Sequence, residues 1–224
     1  MVKVLSLGGS VIVPDNINEK FLALLRKLLM EYSKKEKIVI VCGGGGTSRK
    51  YMTVLEKSGA TKKIIAYIGI RVTRLNAWFL INFFNGNCAK RLAKSLREVK
   101  SFLKKNRIVI IGSLHYKYKQ TSDGTAAYIA HMLHTDFINI TNVAGLYDRN
   151  PQRKNARLIP EISFDDFYKK IKKIKYKPGL HFILDHEAAK IIKKYNIKTY
   201  IVGPNIKNLK NVLEKKKFRG TLIR

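Results

Sequence analysis

Short apolar runs and amphipathic stretches take turns along almost the whole chain. Val2 to Leu7 is an apolar run closed by glycine; after a turn with Pro14 and Asp15, the residues Phe21, Leu24, Leu25 and Leu28 recur at helical spacing. Lys37 to Cys42 repeats the theme, followed by four glycines from Gly43 to Gly46 and by Thr47, which is expected to cap a helix running towards Gly59. Gly69 to Phe84 reads as a long helix, Ser95 with Glu98 as a capping-box start, and Arg107 to Ile111 as a third buried strand. Beyond these, Asp123 to Leu133 reads as a small-residue helix and Phe137 to Ile140 as a fourth strand. Ser163 with Asp166 reads as a helix start, and Thr199 to Val202 as a last core strand. Strands alternating with helices predict an α/β protein, a mostly parallel sheet covered by helices on both faces.

Composition narrows this further. The chain has 224 residues, 46% of them hydrophobic, which suffices for a core, and no composition break marks a linker, so 1–224 reads as one domain. Lys and Arg number 45 against 15 acidic residues, a formal charge of +30. That charge and eleven tyrosines raise the question of nucleic acid. The basic residues are spread over nearly every helix, however, and no specific nucleic acid is expected. Cys42 and Cys88 form no C-x-x-C pair and supply neither a disulfide framework nor a zinc site, which suits a reducing cytoplasm. Met1 to Leu7 lacks the apolar length of a signal peptide. Ala77 to Phe84, the most apolar later stretch, contains Asn82 and falls far short of a membrane span of about 20 residues.

Three turns that carry glycine follow predicted strands: Gly8-Gly9-Ser10, Gly43 to Gly46, and Gly112-Ser113. Glycine lets backbone N–H groups approach an anion closely, and a following helix adds the positive end of its dipole. Two such cradles suggest two phosphorylated ligands; tight turns in an ordinary α/β protein are the alternative reading of any one of them. Gly43 to Lys50 fits neither the Walker pattern nor G-x-G-x-x-G. Arg49, about one turn into the following helix, is placed to clamp a phosphate or to be a solvated helix residue. Asp123, after Thr121 and Ser122, reads as a helix cap or as a carboxylate at the mouth of the sheet that orients a cation or nucleotide; Asp148 and Asp185 are weaker candidates, Asp185 as another cap. His131 and His134 fall at i, i+3 without a third ligand, so no metal site is expected.

Six strings in order carry a family resemblance: LGGSVIVPD (Leu7 to Asp15), GGGGTSRKY (Gly43 to Tyr51), GIRVTRLNA (Gly69 to Ala77), TSDGTAA (Thr121 to Ala127), TNVAGLYDRNP (Thr141 to Pro151) and DHEAAKI (Asp185 to Ile191), with GTLI (Gly220 to Ile223) near the end. The chain resembles the amino acid kinase superfamily and, within it, the archaeal uridylate kinases. The resemblance implies a three-layer α/β/α sandwich, with the N-terminal half binding the acceptor and forming a homo-hexamer and the C-terminal half binding ATP. It implies that ATP phosphates lie on Gly8, Gly9, Ser10, Gly45 and Arg49, and that adenine and ribose meet Thr141, Asn142, Tyr147 and Asn150. UMP is implied at Gly44, Thr121 and Ser122, with Asp123, Gly9 and Ser10 at the reaction centre, and with ATP and Mg2+ required.

Departures from the family pattern are also legible. Many relatives carry lysine where Ser6 stands here, so another cation must serve, and Lys117 or Lys119 in the basic loop from His115 to Gln120 is a candidate. Ala66 stands where relatives have an acidic residue that touches the UMP ribose, Asn150 replaces an aspartate before Pro151, and Ala144 replaces another. A kinase of the same fold with another small phosphate or carboxylate acceptor, a silent nucleotide sensor, and a nucleic-acid binder are the competing readings.

Overall fold

The computed structural model describes residues 1–114, 121–173 and 183–224; Lys117 and Lys119 therefore lie outside the described residues. In chain order the elements are β1 (Val2–Leu7), α1 (Gly9–Ile12), α2 (Glu19–Ser33), β2 (Lys37–Cys42), α3 (Gly45–Lys57), α4 (Lys62–Phe83), α5 (Leu96–Lys105) and β3 (Ile108–Ile111). Then follow α6 (Ser122–Met132), β4 (Phe137–Ile140), β5 (Glu161–Ile162), α7 (Phe164–Lys172), α8 (His186–Tyr195), β6 (Thr199–Val202), α9 (Ile206–Leu213) and β7 (Thr221–Ile223). Among the described residues the strands form one seven-stranded sheet in the order β3-β2-β1-β4-β6-β7-β5. β1, β2, β3, β4 and β6 run parallel, and β7 turns antiparallel against β6.

Alternation along each strand divides the core in two. Leu5, Leu7, Ile38, Ile40, Ile108, Ile110, Ile138 and Ile140 face α2, α4 and α9, while Val4, Val39, Val41, Val109, Ile111 and Phe137 face the layer of α5, α6, α7 and α8. This is the expected three-layer sandwich. Each such side chain contributes about 1.5–3 kcal/mol by leaving water, so the buried polar residues of these strands stand out: Lys3, which pairs with Asp136 (3.4 Å), and Ser6 in β1, and Asn139 in β4.

Local start signals held where a hydroxyl or carboxylate takes the first amides. Ser95 Oγ accepts from Glu98 N (3.2 Å) while Glu98 reaches back to Lys94 N (2.6 Å), Ser163 Oγ accepts from Asp166 N (3.1 Å), and Asp185 accepts from Ala188 N (2.7 Å). Two starts differ from expectation. Thr47 does not cap α3: Gly45, at φ +65°, bends the chain so that the helix begins in the glycine run, with Gly44 at its N-cap. α4 begins at Lys62, capped by Thr61, and passes through Gly69, where a Cβ would sit 3.2 Å from Met52 Sδ of α3. Gly69 is there for close helix crossing.

The resulting 22-residue α4 is, by length and composition alone, apolar enough to cross a membrane, unlike the eight-residue stretch seen in the sequence. In this fold it lies on the sheet, with Val72, Ala77, Leu80 and Ile81 buried. His134 lies past the end of α6 at φ +50°, so it does not share a helix with His131, whose ring stacks on Tyr195 with centroids 3.5 Å apart. The short elements α1, α9, β5 and β7 were not predicted.

Candidate active site

β1 is flanked by β2 on one side and β4 on the other, and the chain builds outward from it in both directions. Such a reversal opens a crevice beyond the carboxyl ends of the strands, where ligands bind in open α/β sheets. The turns after β1, β2, β3 and β4 all reach this edge.

The first two turns touch backbone to backbone. A Cβ on Gly9 would overlap the Gly45 amide nitrogen, one on Gly43 would overlap the Gly9 nitrogen, and one on Gly45 would overlap the Gly9 carbonyl. Gly8 donates to Ile140 O (2.9 Å), which ties the same point to β4. The amides that open a helix have no acceptor within it, so α1 and α3 bring two sets of unspent N–H donors side by side. Arg49, one turn further along α3, has its guanidinium 3.8 Å from where a Gly46 Cβ would be, beside the Val13 and Pro14 carbonyls. The Gly8–Ser10 turn and Gly44 and Gly45, proposed from sequence, are thus brought together, with Arg49 next to them on α3.

Behind this junction stands Asp123, in the first turn of α6. Ser6 Oγ, on the sheet face that α6 covers, donates to Asp123 Oδ1 at 2.7 Å. Burial raises the carboxyl, the Asp185 charge raises it further, and the Ser6 hydrogen bond opposes them; the value rises from 3.8 to about 7. The folded protein therefore keeps a proton that the unfolded chain releases. That contribution to stability is present at low pH and is lost as pH rises from about 4 through about 7. Asp123→Asn should not show this loss. In thermal melts without nucleotide or metal, the variant is expected to gain on the parent between pH 5 and pH 8 by roughly 2 kcal/mol. This is less than the full 1.4 kcal/mol per unit of displacement, because Asp123 keeps some solvent contact.

Asp185 is the anchor. It is 2% exposed, and its oxygens accept from Thr121 N (3.0 Å), Thr121 Oγ1 (2.5 Å), Gly124 N (3.2 Å) and Ala188 N (2.7 Å). One carboxylate thereby caps α8 and pins the start of α6, fixing Thr121, Ser122 and Asp123. Asp185→Ala leaves these donors unmatched in a buried place and is expected to cost roughly 3 kcal/mol or more, read as a drop in denaturant midpoint.

Residues assigned to the nucleoside are more dispersed. Thr141, at the end of β4, donates its N–H to Val202 O (2.9 Å), and its hydroxyl lies 3.4 Å from Asn142 Oδ1. Tyr147 pairs antiparallel with Leu158 in a ribbon also held by Asp148 N to Arg157 O (3.0 Å). Asn150 sits at the exposed tip, where its Oδ1 accepts from Gln152 N (3.0 Å), so a local turn already uses it. Asp148 accepts from Arg157 N (2.9 Å), and that bond, aided by Arg149, lowers its pKa. At Gly112 a Cβ would press on the Arg74 and Thr73 backbone, so the third glycine turn packs directly against α4.

Sequence reasoning missed three groups that brace the crevice. Asn76 Nδ2 donates to Gly43 O (2.7 Å), Thr73 Oγ1 accepts from Ser113 N (2.9 Å), and Asn139 Nδ2 donates to Ile183 O (2.6 Å). Polar residues within apolar runs were the available signal. Among the described residues no group of three or more His, Cys, Asp or Glu side chains could hold a metal by itself.

The amino acid kinase family model matches residues 1–203. The chain belongs to the amino acid kinase family. Similar curated proteins include the uridylate kinase of Methanoregula boonei, 34% identical over 94% of this chain and 90% of that one. The uridylate kinase of Pyrococcus abyssi is 33% identical over 89% of each chain. Among solved structures, the uridylate kinase of Archaeoglobus fulgidus superposes with a TM-score of 0.87 at 32% identity, covering 100% of both chains. Within this family the contact between the β1 and β2 turns, with Asp123 behind it, is the candidate active site.

Proposed function

We propose that this chain is a uridylate kinase, moving the γ-phosphoryl group of ATP to UMP. A phosphate oxygen of UMP attacks the γ-phosphorus, the bond from that phosphorus to the β–γ bridging oxygen breaks, and UDP and ADP leave. The observation that carries this reading is the direct backbone contact of the Gly8–Ser10 and Gly43–Gly46 turns, with Asp123 held behind them by Ser6. Phosphoryl transfer needs mainly positioning and charge neutralisation, and adjoining turns with unspent amides bring a donor and an acceptor phosphate end to end. Full-length similarity to proteins named uridylate kinase supports the choice of acceptor.

In this reading Gly8, Gly9, Ser10, Gly45 and Arg49 hold the ATP phosphates. Thr141, Asn142, Tyr147 and the Asn150 ribbon receive the nucleoside, and Gly44, Thr121 and Ser122 receive UMP. The site fits Mg2+, which binds through one or two carboxylates plus substrate phosphates. Asp123 would hold it, since the oxygens of Asp185 are spent on four donors. When bound, the ion neutralises charge on the transferring group.

The chain acts in the cytoplasm in pyrimidine nucleotide synthesis and assembles as a homo-hexamer. Support for assembly comes from Tyr51, Val54, Leu75 and Trp78, large side chains left exposed on α3 and α4; light scattering on a sizing column tests it. For the reaction, purified protein with Mg2+ and ATP should release ADP on addition of UMP. Release with isopentenyl phosphate, carbamate or N-acetylglutamate instead of UMP overturns the acceptor, and no release with any of them overturns catalysis.

A further inference from the structure

Arg74 is a cation with an unusual assignment. It lies on the sheet side of α4, partly buried, directly against the exit of β3. Its Nε donates to Ser113 O at 3.1 Å and its Nη2 donates to Leu114 O. One residue before it, Thr73 Oγ1 accepts from Ser113 N at 2.9 Å and donates to Ile70 O at 2.7 Å. Gly112 has no side chain because its Cβ would fall 2.6 Å from Arg74 N. Among the described residues no carboxylate lies within ion-pair distance of this guanidinium. A charged group has therefore been spent on two neutral carbonyls, which a structural ion pair does not explain.

The same stretch of α4 braces the Gly43–Gly44 bend, where the proposed function places the acceptor. Asn76 holds Gly43 O, and Thr73 Cγ2 lies 3.7 Å from the position of a Gly44 Cβ. Within one turn of helix, then, α4 grips both the Gly43–Gly44 bend and the strand exit at 112–114. A helix is stiff over that length, so it fixes the spacing between that bend and the β3 exit. In a trans peptide the N–H points opposite to the preceding C=O. With Ser113 O drawn to Arg74, the Leu114 N–H is therefore turned away from the helix. A planar guanidinium can set two successive carbonyls at once, whereas an ammonium has no fixed fork.

We propose that Arg74 is a positioning residue for the acceptor: it sets the backbone at Ser113 and Leu114 relative to Gly44, and so governs binding of the acceptor phosphate without touching the donor. The inference rests on the UMP kinase reading and adds a residue to its acceptor half. Its consequence is a split between the two substrates.

Steady-state kinetics and calorimetric binding of UMP and of ATP to the full chain test it, using Arg74→Lys, Arg74→Gln, Arg74→Ala and, as a control, the exposed Arg71→Gln. Arg74→Gln and Arg74→Ala should raise KM and Kd for UMP about 10- to 100-fold, the size of effect expected from misplacing a substrate by about 1 Å. Their values for ATP should stay within about twofold of the parent, a difference too small to need a lost contact. Arg74→Lys, which keeps the charge and the aliphatic stem and so guards against misfolding, should show a smaller split in the same direction. Added guanidinium should restore UMP binding to Arg74→Ala and leave Arg74→Gln unchanged, and Arg71→Gln should match the parent. Equal changes for both substrates, or none for UMP, in Arg74→Lys would overturn the assignment. If the parent itself neither binds nor turns over UMP, the functional reading fails; if the parent does and the variants match it, the role of Arg74 alone fails.

Discussion

Gly9→Ala is expected to abolish activity, although helix propensity taken alone predicts the opposite. Gly9 lies in α1 with ordinary helical geometry, where alanine is favoured over glycine by about 1 kcal/mol. The contact decides otherwise. Its Cβ would overlap the Gly45 nitrogen and lie 2.6 Å from Gly45 Cα and from the Gly44 carbonyl carbon. These are backbone atoms, so no rotamer relieves the clash, and either the two turns separate or the fold gives way. A loss of at least about 100-fold in kcat/KM is expected from displaced phosphate sites, or about 4 kcal/mol or more of stability if the core yields first. Gly86→Ala is the control. Gly86 has φ +80° and nothing within 4 Å of its Cβ, so alanine there should cost only about 1–2 kcal/mol of backbone strain and leave kinetics unchanged. If Gly9→Ala matches Gly86→Ala, the two turns do not grip the phosphates together.

Asp123→Asn should separate catalysis from stability. The amide keeps the shape of the carboxylate, and its oxygen can still accept the Ser6 hydrogen bond. The variant should fold, and at pH 8 it should melt no lower than the parent, because a buried carboxyl raised to about 7 is a burden on the native state there. What it lacks is the charge that, in the proposed reaction, faces the transferred group. Removing one such preorganised electrostatic contact typically costs about 100- to 1,000-fold in kcat. A kcat within tenfold of the parent would remove Asp123 from the reaction centre; a large loss with an unchanged melt places it there.

How far the sequence could be read differs from element to element. Strands such as Lys37–Cys42 and Phe137–Ile140 were legible because a strand buried on both faces is a near-continuous apolar run. β5, β7 and α9 were not, since two or three residues carry no period and α9 lacks a distinctive start beyond Asn205. Glycine misled in one place and informed in another. Gly69 looked like a boundary but marks a close crossing of α3 and α4, whereas Gly9, Gly43 and Gly45 stand where the two glycine turns meet backbone to backbone, which leaves no room for a Cβ. Asp123 was singled out as a scarce acid beside hydroxyls, yet its partner Ser6 was noticed only as a missing lysine. A buried polar side chain within an otherwise apolar stretch of strand needs a bonding partner, and that rule, applied to Ser6 and Asn139, would have pointed across the sheet to α6 and to Ile183. Asn150 shows the limit: sequence order cannot reveal that its Oδ1 accepts from Gln152 N in its own turn, which leaves the Nδ2 amide as the group that could meet a ligand.

The Asp185 anchor has a consequence for motion. Two helices from distant parts of the chain start on one carboxylate, so neither can fray from that end without stripping the other of its cap. Amide hydrogens in the first turns of α6 and α8 should accordingly exchange with solvent in a single opening event of common free energy, rather than as two independent local ones.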